Sequence, residues 1–103
     1  MRALSENRPL IYVCSAYASD VPLNTKLARA YSRFVVDQGG VPVAPHLLFP
    51  QFISEETERD LALRLNMVLL DKCDEMWVFG NISKGMAFEI DEAYKRKLAI
   101  KYF

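Results

Sequence analysis

Residues 76–91 read Met76-Trp77-Val78-Phe79-Gly80-Asn81-Ile82-Ser83-Lys84-Gly85-Met86-Ala87-Phe88-Glu89-Ile90-Asp91. Four apolar residues in a row, a short loop opened by glycine, and a helix beginning near Ser83 are the strand, turn and helix of a parallel β/α unit. At about 100° per residue, Glu89 falls between Met86, Ile90 and Ala93, on the face of that helix that must pack inward. Asp91 and Lys95 point the other way, and Glu92 and Arg96 make an ordinary i,i+4 pair on the flank. An acid on the buried face of the first turns is either stabilised by backbone amides and the helix dipole or used for chemistry.

Outward from this stretch, the same alternation repeats. Leu10-Ile11-Tyr12-Val13-Cys14 is a continuous apolar run, as in a strand buried on both faces. Residues 15–20 are small and polar apart from Tyr17 and suit a loop open to a ligand. Ser19 or Asp20 can cap a first helix, Pro22 fits its first turn, and Gly39-Gly40 stops it. Val41 to Ala44 is a short strand whose Pro42 assigns it to a sheet edge. Residues 45–54 read as an apolar loop carrying the only histidine, His46.

A second helix is expected from Ser54 to about Asp71, with Glu55 and Glu56 in its first turn. It carries two apolar stripes, Leu61, Leu65 and Val68 on one face and Leu63, Met67 and Leu70 roughly opposite. One stripe is enough for a monomer of this size, so the second predicts a homodimer or higher oligomer through Leu63, Met67 and Leu70, unless the loop at 47–53 covers it. The third helix should run from 84 to about 97, and Leu98-Ala99-Ile100 is the last strand. The order βαβαβαβ implies an α/β fold: a small doubly wound, flavodoxin- or Rossmann-like parallel sheet of four strands in order 2-1-3-4, with helices on both faces.

The totals narrow the function. The chain has 103 residues, 51% of them apolar, which suits one compact domain over 1–103. Thirteen basic and thirteen acidic side chains cancel, which argues against a nucleic acid polymer as partner. The run at 10–14 is too short for a signal peptide or a membrane span, so the expectation is a cytoplasmic protein that does not engage a membrane. Cys14 and Cys73 lack CxxC spacing and a nearby histidine and read as buried thiols, so no metal is expected. Glycines occur only at 39, 40, 80 and 85, without a GxGxxG or GxxxxGK[ST] pattern, and no cofactor is expected. No GxSxG elbow surrounds Ser15. Cys14 follows a strand as a phosphatase nucleophile would, but Asp20 stands where that mechanism wants arginine.

In a sheet of order 2-1-3-4 the crevice opens at the carboxyl ends of the first and third strands. The loops 15–20 and 80–85 and the loop carrying His46 border it. Ser15, Tyr17, His46, Asn66, Ser83, Gly85 and Glu89 are the candidate site residues.

Three segments carry a resemblance: Ile11 to Tyr17, Cys73 to Gly80, and Ser83-x-Gly85-x-x-x-Glu89-Ile90-x-x-Ala93. Together they resemble the nucleoside 2-deoxyribosyltransferase superfamily. Ala44-Pro45-His46-Leu47-Leu48-Phe49 and Ile100-Lys101-Tyr102-Phe103 are similar to a group of short, uncharacterised bacterial and phage proteins within it. The resemblance implies a glutamate nucleophile at Glu89 that attacks C1′ of a deoxyribosyl donor, with a second base or water accepting the sugar. It implies an aromatic partner for sugar or base at Tyr17. Asn66 falls where many relatives carry an aspartate that handles the base. Ser83 falls where the transferases often have aspartate and the monophosphate-cleaving branch has serine, which favours a nucleotide over a free nucleoside. A carboxylate near a helix N-terminus is expected to stay ionised.

Each residue also has a plainer reading. Tyr17 can be a core lid, His46 a loop histidine bonding backbone, Asn66 a polar residue on a helix flank, and Ser83 a simple N-cap. Two functional classes follow: an enzyme that cleaves or exchanges the N-glycosidic bond of a deoxyribonucleoside or its 5′-monophosphate, and a catalytically inactive nucleotide-binding module of the same fold. An oligomeric interaction protein with an inert crevice is a third.

Overall fold

The computed structural model describes residues 7–103. The elements are β1 (Leu10–Cys14), α1 (Val21–Asp37), β2 (Val41–Val43), α2 (Pro45–Leu48), a 3-10 turn (Phe49–Gln51), α3 (Arg59–Lys72), β3 (Glu75–Val78), α4 (Lys84–Lys95) and β4 (Ala99–Tyr102). The four strands form one sheet in order β2-β1-β3-β4, and every pairing is parallel. The expected α/β fold and strand order are therefore the observed ones, with Pro42 at the sheet edge.

Alternation along the strands divides the core in two. Tyr12, Cys14, Met76 and Val78 face one side and pack with Leu70, Met86 and Ala93. Ile11, Val13, Trp77 and Phe79 face the other and pack with Val35 and Tyr31 of α1. Gly40 lets α1 approach β1, since a Cβ there would lie 2.8 Å from the Ile11 side chain and 3.0 Å from Val35. Asp20 caps α1 by accepting the Leu23 N–H at 3.2 Å.

The strand ends shift by one or two residues from expectation, and three helix boundaries differ for a local reason. The apolar loop after β2 contains α2, opened by Pro45 at its first position. α3 starts at Arg59 rather than Ser54. The Ser54 hydroxyl accepts the Thr57 N–H at 3.3 Å and the Glu58 carboxylate accepts the Ser54 N–H at 3.0 Å. Such local side-chain bonds offer the backbone a turn in place of a helix. α4 stops at Lys95 because Lys97 is left-handed, with φ of 59°. Its N–H and that of Leu98 close back onto Tyr94 and Ala93, a left-handed helix end made with lysine instead of glycine.

The two stripes of α3 are also exchanged. Leu70 is fully buried and Met67 packs on the same core cluster, while Leu63 lines a cavity. Leu63, Met67 and Leu70 are thus the inward stripe of this helix and not a subunit interface. The outer flank is the other one, where Val68 is 54% exposed. The sequence pattern shows two stripes without saying which meets the sheet. Ala62, Asn66 and Leu70 are buried together and mark the inner face. Among the described residues no helix is long and apolar enough to cross a membrane.

Candidate active site

At the carboxyl edge of the sheet, three turns meet. β1 runs into the loop 15–20, which the buried Asn24 holds by donating to the Tyr17 carbonyl and the Ser19 hydroxyl, both at 3.0 Å. β3 turns off through Gly80, left-handed with φ of 76°, a conformation that favours glycine. α4 then opens at Ser83, whose hydroxyl accepts the Met86 N–H at 3.3 Å. α2 brings His46 to the same edge, the turn before α3 brings Glu55, and α3 opens with Arg59.

Between these elements lies a cavity of about 240 Å³. Ser15, Tyr17, His46, Asn66, Ser83, Gly85 and Glu89 all line it. These seven span 75 sequence positions from first to last, 89 against 15, and the parallel topology alone brings them together. A second hollow shares Ser15, Ala16, Ser19 and Ser83 with the first but has no carboxylate, histidine or cysteine in its wall.

Glu89 is 5% exposed. The Tyr12 hydroxyl donates to its Oε2. The Cys14 thiol points at its Oε1 at 3.7 Å and at the Met86 carbonyl at 3.9 Å. Among the described residues no backbone amide and no cation bonds the carboxyl, so the amide-satisfied alternative is not realised. Nor does the helix start hold it ionised: burial pushes it up to about 7, with the nearby Glu55 charge adding to the rise and the Tyr12 and Cys14 hydrogen bonds opposing it. Near neutral pH this carboxyl therefore exchanges readily between its two states. Tyr12, fully buried, is held well above the usual phenol range by burial and then by Glu89, so its hydroxyl remains a donor.

Part of the cavity wall is aromatic. Tyr17 and His46 stack at 4.8 Å between centroids with 20° between planes. The His46 ring bonds the Ser15 backbone, and burial lowers its pKa, leaving a neutral imidazole with its orientation fixed. The Ser15 hydroxyl is buried and has no hydrogen-bond partner in the protein. A buried hydroxyl without a partner, lining a cavity, is an available contact for a polar ligand. Asn66 is 7% exposed on the α3 side. A Cβ at Gly85 would meet nothing nearer than the Arg59 guanidinium at 4.0 Å, so the arginine reaches across to the start of α4.

Tyr12, Cys14, Glu55, Arg59 and Lys84 complete the site, and sequence reasoning did not select them. Tyr12 carried a readable signal, because a tyrosine inside a buried strand needs a partner for its hydroxyl. Glu55 and Arg59 were hidden by the misplaced helix start. No cluster of three or more His, Cys, Asp or Glu among the described residues could hold a metal.

A four-stranded parallel sheet of order 2-1-3-4 with a polar cavity at its carboxyl edge defines a doubly wound α/β protein. The fold is shared with a solved 2-deoxyribosyltransferase from the psychrotolerant bacterium Bacillus psychrosaccharolyticus. Identity is 18% and the TM-score 0.70, over 91% of this chain and 71% of that one. The chain itself belongs to the family described as domain of unknown function DUF7768, whose model matches residues 9–103. No curated protein matches it.

Proposed function

We propose that the protein cleaves or exchanges the N-glycosidic bond of a deoxyribonucleoside 5′-monophosphate, or of the nucleoside itself, with Glu89 as nucleophile. One observation carries this reading: a buried carboxyl in a cavity wall, without a cation or an amide, held by two neutral donors. A structural carboxylate is normally paired. This one is left free to attack.

In the ionised form an oxygen of Glu89 forms a bond to C1′ as the bond to the base breaks, and an anion beside C1′ stabilises the oxocarbenium-like transition state. Tyr12 keeps the carboxyl oriented. A second base or water then releases the sugar from the ester. Tyr17 on His46 offers a flat wall for the base, and Asn66 a hydrogen-bonding edge. Ser83, Lys84 and Gly85 at the start of α4, with Arg59 opposite, suit a phosphate through helix-start amides and charge. The fold shared with a solved 2-deoxyribosyltransferase supports the same reading.

A second reading is a nucleotide-binding module without turnover. It is favoured by Asn66, which cannot protonate a leaving base. Chromatography of a panel of deoxynucleosides and their 5′-monophosphates, with and without a free acceptor base, separates the two. Base release or exchange that Glu89→Gln abolishes supports the enzyme. A rise in melting temperature with the same panel, without any release, supports the binding module.

A further inference from the structure

Breaking a bond between C1′ and a base nitrogen leaves an electron pair on the base, and a neutral base leaves far more readily when a proton reaches it. Asn66 has none to give. His46 is neutral and already bonded to the Ser15 backbone. The Tyr17 hydroxyl is held above its ordinary range by burial and by Glu55, which makes it a poorer acid. Arg59 does not release its proton in a protein.

Besides Glu89, one further carboxyl lines the cavity. Of the three glutamates at 55, 56 and 58, only Glu55 stands in its wall. The turn that delays α3 selects it: Glu58 is tied back to the Ser54 N–H at 3.0 Å, and Glu56 is exposed to solvent. Glu55 lines the same cavity as Tyr17, where the base would lie, and Glu89, where the sugar would lie.

We infer that Glu55 is the catalytic acid and base of this site, an assignment that rests on the glycosidic reading above. In the first step Glu89 forms the C1′–O bond and the C1′–N bond breaks. The electron pair goes to the base, and protonated Glu55 gives its proton to a base ring nitrogen. The products are a neutral base, a glycosyl ester on Glu89 and a Glu55 carboxylate. In the second step water, or the N–H of an incoming base, gives its proton to Glu55 while its oxygen or nitrogen bonds C1′. The ester C1′–O bond breaks with its pair returning to Glu89, which is restored as a carboxylate while Glu55 is restored as an acid.

The test compares two donors: 2′-deoxyguanosine 5′-monophosphate and its 7-methylguanine analogue, whose base is already cationic and needs no proton to leave. Glu55→Gln should slow guanine release by about 100-fold or more yet leave 7-methylguanine release within a few-fold, whereas Glu89→Gln should abolish both. Equal loss on the two donors, or no loss on either, overturns the role of Glu55 while leaving Glu89 as nucleophile. Absence of any base release from either donor by the unaltered protein overturns the glycosidic reading, and the Glu55 assignment with it.

Discussion

The carboxyl of Glu89 is costly to bury as an anion, and the two donors around it reduce that cost without cancelling it. In the unfolded chain it titrates near its ordinary value of 4.5, and in the folded protein near 7. The folded state therefore binds the extra proton between those values, and its stability from this group falls as pH rises from about 4.5 to about 7. Glu89→Gln should gain stability relative to the parent across that window, reaching a difference on the order of 3 kcal/mol above neutrality. The two should be similar below pH 4.5. Denaturant titrations at a series of pH values measure this, and a gap independent of pH would mean that Glu89 is not shifted. Tyr12→Phe removes the donor to Oε2. The lost charge-assisted bond, about 2 kcal/mol, should push Glu89 higher still and move the rise of activity with pH to a more alkaline value. An unmoved profile would leave Tyr12 a packing residue.

At the scale of elements, stability sits on the face of the sheet that carries α3 and α4. Leu70 is fully buried there, and Leu70→Ala should cost about 2–5 kcal/mol, read as a lower denaturation midpoint. If Leu70 belonged to an interface, the loss would depend on protein concentration instead. Lys97 holds a left-handed position at the end of α4, so Lys97→Gly should stabilise the protein by about 1 kcal/mol, seen as a higher melting temperature. What the sequence reveals about elements follows from period. Ile11 to Cys14 and Met76 to Phe79 could only be buried strands, and Asp20 and Ser83 had the chemistry of caps. Ser54 has it too, but there Glu58 and Thr57 satisfy its backbone and side chain locally, and the helix begins five residues later. Glu55 and Arg59 were lost from view with that boundary. The two stripes of α3 were equally apolar, and only the burial of Ala62, Asn66 and Leu70 shows which one meets the sheet.

For the whole molecule, alternation of buried strands and amphipathic helices leaves few topologies, and right-handed crossovers place α1 on one face and α3 and α4 on the other. That topology puts Ser15, Tyr17, His46, Ser83 and Glu89 at one edge, which made their convergence legible before any contact was known. The partners of Glu89 were not, because Tyr12 and Cys14 meet it across 77 and 75 positions of chain. A ligand that fills the cavity should stabilise the fold by linkage, about 3 kcal/mol at a hundred times its Kd. A deoxynucleoside 5′-monophosphate should raise the melting temperature more than its nucleoside, and Arg59→Ala and Ser83→Ala should each remove most of that difference. Equal effects on both ligands would take the phosphate away from the start of α4. The most direct measurement concerns the covalent step. A donor with fluorine at C2′, which slows release of the sugar, is incubated with the protein, and the digested peptides are weighed. The sugar attached to the peptide at Glu89, and missing in Glu89→Gln, is the predicted result; base released at the parental rate by Glu89→Gln, with that peptide unmodified in the parent, would contradict it.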